Sequence, residues 1–150
     1  MKKILLAVAL TPQFSYGFCF EKAGEYYNVD PILLESIAMV ESSLKPSAYN
    51  ENKNSSGEVV SRDFGLMQVN STWLKTLKVF DVNETNIYDP CLNVHLGAWI
   101  LSSNFASHGY NWNSVGAYNA GFSRRNSAIR KTYIKKVQLA YSKLTNQSDN

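Results

Sequence analysis

Apolar positions recur with a helical period along most of this chain, and the period fails in one long polar stretch. Leu34, Ile37, Ala38 and Glu41 fall at i, i+3, i+4 and i+7 and therefore share one face of a helix. Asp30 followed by Pro31 predicts where that helix starts: the carboxylate caps exposed amides, and the proline lacks only an N–H that would be unpaired anyway. The helix is expected to run from 31 to about 43, after a shorter one over 18–27. From 44 to 62 the residues turn to Asn, Ser and Lys with Pro46 and Gly57, which predicts a long surface loop with a short hairpin around 58–61. Loops of that length in small domains commonly carry function. A short helix is expected over 71–77. Asp89 and Pro90 repeat the cap-and-proline start for a helix to about 107, in which Leu92, Leu96, Trp99, Ile100 and Phe105 mark a mostly buried segment. Further helices are expected over 113–119 and 127–144, the last with Ile129, Tyr133, Val137 and Ala140 on one apolar face. The sum is an α+β fold, mainly α, with a small irregular β element after the second helix.

The first residues have a different pattern. Lys2 and Lys3 precede an unbroken apolar run from Ile4 to Leu10, with small residues at Ser15 and Gly17, the outline of a cleavable signal peptide over 1–17. The run is too short to span a bilayer, and no second one follows, so stable membrane insertion is not expected. About 133 residues remain, enough for one domain, 18–150, expected to be a periplasmic monomer. The net charge of +3 owes two units to Lys2 and Lys3, which leaves thirteen basic against twelve acidic residues and argues against a nucleic-acid partner. The remaining asymmetry is a basic group of Arg124, Arg125, Arg130, Lys131, Lys135 and Lys136, read as a solvated helix face or a site for an anionic partner. Cys19 and Cys91 are the two cysteines; in an exported chain they are expected to form one disulfide. The alternative is lipid attachment at Cys19, although Tyr16 and Phe18 stand where such a site needs Leu and a small residue.

Chemistry enters with Glu41, a carboxyl on an apolar stripe. Lost hydration favours its protonated form and raises its pKa, which suits a general acid facing a poor leaving group. A glutamate at a frayed helix end that turns out to solvent fits the same position. His95 and His108 lie thirteen residues apart without a metal-ligand spacing, and no phosphate loop or serine triad is present, so neither a metal nor a cofactor is expected. Among the tryptophans, Trp99 reads as core and Trp112, beside Tyr110 and Asn113, as a candidate cleft residue, with Trp73 undecided.

Glu41-Ser42-Ser43, Gly65-Leu66-Met67-Gln68 and Ala117-Tyr118-Asn119-Ala120-Gly121 occur in that order. With these three segments the chain resembles the lytic transglycosylases of lysozyme-like fold, in particular the small enzymes that accompany secretion, pilus and conjugation machines. The resemblance implies cleavage of the bond between N-acetylmuramic acid and N-acetylglucosamine in peptidoglycan strands. Glu41 would act first as acid, then as the base that leads to a 1,6-anhydro end. It further implies that Gln68, Tyr118 and Asn119 line the cleft and bond the sugar or the carboxyl, while Ser42 supports the acid. Gly65 and Gly121 would let backbone approach the ligand.

The segment from Asp63 to Ser71 departs from many transglycosylases, which have a small residue in place of Asp63, and is similar to the part of animal-type lysozymes that holds their second carboxylate. Paired carboxylates are the hydrolytic arrangement, so Asp63 is a second catalytic candidate and a hydrolytic muramidase is the competing enzyme. An aspartate that caps local amides is the structural alternative. From another class comes a non-catalytic adaptor that binds the wall.

Overall fold

The computed structural model describes residues 18–148, so the expected signal segment at 1–17 lies outside the described residues. The elements run α1 (Phe20–Tyr27), α2 (Pro31–Ser42), β1 (Tyr49–Lys53), β2 (Val59–Phe64), β3 (Val69–Asn70), α3 (Leu74–Leu77), α4 (Pro90–His108), α5 (Trp112–Ala120) and α6 (Ser127–Ser148). Single 3-10 turns at Ser71–Trp73 and Lys78–Phe80 flank α3.

The helix starts are set by side-chain caps. Asp30 Oδ1 accepts from the Ile32 amide at 2.9 Å, Asp89 Oδ1 from Leu92 at 2.8 Å, and Asn111 Oδ1 from Ser114 at 3.0 Å. Each satisfies a donor that the first helical turn leaves unpaired. Helix α4 runs through the centre. Its Val94, Ala98 and Leu101 are fully buried, with α1, α2 and α5 packed around it, and α6 lies across α2 and α5.

The stretch expected to be mostly loop is a three-stranded antiparallel sheet in the order β1-β2-β3. The turn of its first hairpin lies N-terminal to the expected position: Asn54 Oδ1 accepts from the amides of Ser56 and Glu58, and 59–64 is strand. Strand β1, Tyr-Asn-Glu-Asn-Lys, has no buried residue and so none of the alternation that marks a half-buried strand. What holds it is pairing, with Asn50 opposite Asp63 and Tyr49 opposite Phe64.

Cys19 and Cys91 form the expected disulfide, with Cα atoms 5.2 Å apart and a sequence separation of 72. It ties the start of α1 to the first turn of α4, and the Cys19 sulfur, so engaged, is not available to a lipid. The apolar face of α6 is turned by one position from expectation. Tyr133, Val137 and Ala140 are buried, but Ile129 is 55% exposed, and Arg130 takes the inner place at 8% exposure. Arg130 donates to the carbonyls of Gly121 and Ser123 and to Asn113 Oδ1, so it joins α6 to the end of α5 and is no part of a solvated basic face. Among the described residues no helix is long and apolar enough to cross a membrane.

Candidate active site

Glu41 is the second-last residue of α2, one helical turn beyond the fully buried Ile37 and Ala38. Its carboxyl sits where two hollows meet. One, of about 310 Å³, is walled by the sheet residues Asn52, Ser61, Asp63 and Asn70, by Gln68, by Trp73 and by α5. The other, of about 400 Å³, lies along α6. Glu41 and Asn119 border both. The carboxyl is therefore turned inward, and the frayed, outward alternative does not hold.

Burial pushes the Glu41 carboxyl up from 4.5 to about 7, with the negative charge of Asp63 acting in the same direction. Two groups oppose this: a hydrogen bond from Tyr133 and the positive charge of Lys136. The Tyr133 hydroxyl donates to Glu41 Oε1 at 2.6 Å. The same proximity to Glu41, added to burial, raises Tyr133 and Tyr118 well above the usual phenol range, so both remain hydroxyl donors at any working pH. Tyr133 had read as core. The available signal was a residue with a hydroxyl on a buried stripe, because a buried O–H needs an acceptor.

Asp63 stands on the central strand between two asparagines of its neighbours, opposite Asn50 on β1 and Asn70 on β3. Asn70 donates to its Oδ1 at 2.6 Å, and Asn52 and Asn50 donate to its Oδ2 at 2.8 and 3.2 Å. Three neutral side-chain amides thus surround this carboxyl, and none of them brings a charge. The two carboxyls of the groove thus have opposite surroundings, one desolvated and one solvated by amides. The asparagines were not singled out in the sequence, where a polar stretch rich in Asn resembles an ordinary loop.

The remaining expected site residues fall into two groups. Gln68 and Asn119 line the groove, and the Gln68 side-chain nitrogen donates to the carbonyls of Gly65 and Ala48, which leaves its Oε1 as an acceptor. Gln68 also holds a left-handed backbone at φ +48°, a strained conformation for a residue with a side chain. Ser42 acts on the scaffold, and Tyr118, which lines the groove beside Asn119, braces the scaffold as well. The Tyr118 hydroxyl donates to the Met67 carbonyl at 2.8 Å, and Ser42 Oγ, outside the groove lining, donates to the Leu66 carbonyl at 2.8 Å. Asn93 completes this anchoring. Its Oδ1 accepts from the Met67 amide at 2.7 Å and its Nδ2 donates to Phe64 and Ile87, so helices α2, α4 and α5 all grip the β2–β3 turn.

Gly65 has φ +74°, and a Cβ there would stand 2.5 Å from the Asn93 amide, so close packing on Asn93 requires the glycine. Gly121 ends α5 at φ +62° with open space around it. Trp112 also departs from expectation. It lies with Asp30, Tyr110 and Tyr141 in a separate hollow, while Trp73, edge-on to Trp99 at 5.3 Å, is the tryptophan in the groove. His95 packs against Tyr26 and Tyr27, and His108 stacks on Phe122. Among the described residues no cluster of His, Cys, Asp or Glu side chains has the makings of a metal site.

Comparison with known proteins agrees with this geometry. Residues 18–140 match the family described as the transglycosylase SLT domain. The chain belongs to that family. This transglycosylase is 40% identical over 146 residues to the invasion protein IagB of Salmonella typhimurium strain SL1344, covering 97% of this chain and 88% of the relative. It is 36% identical over 149 residues to a peptidoglycan-binding-like protein of Escherichia coli O157:H7, covering 97% and 89% of the two chains. Among solved structures it resembles an inactive mutant of the lytic transglycosylase Slt from Pseudomonas aeruginosa, with a TM-score of 0.63 at 19% identity, over 91% of this chain and 24% of the other. The fold is lysozyme-like, and the protein is a peptidoglycan lytic transglycosylase, an enzyme whose substrate lies outside the cytoplasm. A purely wall-binding adaptor is thereby set aside.

Proposed function

We propose that Glu41 cleaves the bond between N-acetylmuramic acid and N-acetylglucosamine as a general acid and then as a base. The protonated carboxyl gives its proton to the bridging oxygen as the C1–O bond breaks, with the bonding electrons going to that oxygen. The resulting carboxylate takes the proton of the muramyl C6 hydroxyl, and O6 bonds to C1, which closes a 1,6-anhydro ring without water. The observation that carries this reading is the Glu41 carboxyl, recessed between two hollows and raised to about 7, so that both protonation states are accessible near neutrality. Tyr133 holds the carboxyl in place through both steps. Gln68 Oε1 and the Asn119 amide offer neutral groups to the sugar.

Asp63 supports a second reading. An amide-solvated carboxylate in the same groove is suited to stabilise a positively charged anomeric carbon, and with water present the outcome is hydrolysis. Mass spectrometry of digested sacculi separates the two. Anhydromuramyl ends are expected; reducing-end muramic acid alone would discard the first reading. Asp63→Asn is expected to lower turnover at least ~10-fold if the carboxylate stabilises the transition state, whereas an effect under ~3-fold assigns it to holding the asparagines.

The basic and apolar start of the chain supports export through a cleavable signal over 1–17 and a periplasmic site of action, which N-terminal sequencing of the exported form checks. A relative named as an invasion protein supports a role in opening the wall locally for a secretion, pilus or conjugation apparatus.

A further inference from the structure

The two hollows that meet at Glu41 differ in charge and in polarity. The sheet-side hollow is lined by asparagines, Ser61 and the anionic Asp63, with no cation. The α6-side hollow has Lys136 as its cation and no anion except Glu41 itself, over a floor of Val40, Ala128 and the exposed Ile129. On α6 the residues Ile129, Thr132, Tyr133 and Lys136 fall at i, i+3, i+4 and i+7, so one helix face presents a methyl-bearing surface, a hydroxyl and an ammonium in a row. Lys136 makes no ion pair among the described residues. Its charge faces open groove.

A glycan strand bound across Glu41 would extend into both hollows, since Glu41 and Asn119 border each of them, and its sugar rings are uncharged. Its anionic groups belong to the muramyl residues, each of which carries a lactyl ether that ends in a carboxylate or, when amide-linked, in a stem peptide with carboxylates of its own. We propose that Lys136, with Ile129 beneath it, is a specificity-determining residue that reads a muramyl-borne carboxylate on the α6 side of the cleaved bond, so that the enzyme prefers acid-bearing strands to neutral ones. This rests on Glu41 as the cleaving group. The apolar floor suits the lactyl methyl and the alkyl part of a stem, and the cation suits the acid beyond them. Lys136 also acts on Glu41 at a distance, and the two roles have different signatures: an effect through Glu41 is the same for every strand, whereas a carboxylate-reading effect follows the charge of the strand.

The test uses soluble strands in three forms: with stem peptides, stripped by an amidase to the free lactyl carboxylate, and stripped with that carboxylate converted to a neutral methylamide. Values of kcat/KM are measured at low salt for the wild type, Lys136→Gln and Lys136→Arg. A partly exposed ion pair of up to ~1 kcal/mol gives the wild type a preference of ~3–5-fold for an acidic over the neutral form. It is expected to appear in KM, to fade at high salt, to collapse toward one in Lys136→Gln and to persist in Lys136→Arg. Preference for the stripped acidic form alone names the lactyl carboxylate as the source, preference for stem-bearing strands alone names the peptide, and preference for both shows that either carboxylate is read. No preference in the wild type, or an equal loss on all three strands in Lys136→Gln, overturns the proposal. Binding of the same strands to Glu41→Gln protein, followed through the groove tryptophan Trp73, reports the preference without bond cleavage. A failed product assignment and a failed Lys136 assignment are therefore told apart.

Discussion

Replacing Glu41 by glutamine should remove activity and, at alkaline pH, make the protein more stable. In the folded chain burial raises the carboxyl from 4.5 to about 7. A group whose pKa is higher in the folded than in the unfolded state contributes its full stability below the unfolded value, and that contribution is lost as pH rises through the folded one. The loss therefore falls between about 4.5 and about 7 and is complete above the folded value. At ~1.36 kcal/mol per pH unit the gap amounts to ~3 kcal/mol between pH 4 and pH 9. Glutamine cannot ionise and escapes the loss, and its Oε1 remains an acceptor for Tyr133. The substitution has a constant cost of its own, but comparing the two pH values cancels it. For a domain of this size ~3 kcal/mol corresponds to a relative gain in Tm on the order of 10 °C at pH 9. Thermal melts of both proteins at pH 4, 6, 7 and 9 give the difference directly, and a turbidity assay on sacculi gives the activity, expected to fall by ~10²–10⁴-fold. Stability curves that run parallel from pH 4 to pH 9, or a wild type that gains on the variant as pH rises, would refute the claim that Glu41 is desolvated.

Other perturbations test the surroundings. Tyr133→Phe deletes a hydrogen bond that favours the ionised carboxyl, so the alkaline limb of the lysis profile should move to higher pH, with activity down ~10-fold or more for a bond to a charged group of ~1.5–3 kcal/mol; an unmoved limb contradicts the assigned hydrogen bond. Asn93→Ala leaves the Met67 amide and the Phe64 and Ile87 carbonyls without partners in a buried place, and a loss of ~3 kcal/mol or more is expected in urea unfolding. Cys91→Ser, made together with Cys19→Ser to avoid a stray thiol, removes a cross-link between residues 72 apart and should cost ~2–4 kcal/mol, with lysis at 25 °C largely retained.

What the sequence revealed depends on the range of each interaction. Asp30-Pro31 and Asp89-Pro90 announce helix starts within a few residues, and the Glu41 stripe is complete within eight, so these were legible. The Tyr133–Glu41 bond joins residues 92 apart, and Tyr118 reaches Met67 across 51, distances at which periodicity says nothing. Strand β1 was missed because its residues are polar on both faces and only pairing with β2 makes it a strand. Arg130 and Ile129 exchanged expected places because a buried guanidinium with three oxygen partners satisfies its donors. Trp112 was placed by its neighbours in sequence, but it stands in the first turn of α5, about two turns before Tyr118 and Asn119, and lines a different hollow.

The β2–β3 turn is gripped by Ser42 from α2, Asn93 from α4 and Tyr118 from α5. A wall of the groove and three interior anchors thus share one short segment, so a change there disturbs both. A lineage that shifts its preference among wall polymers has freer ground at Thr132 and Lys136 on α6, where a side chain faces the groove without bracing the interior.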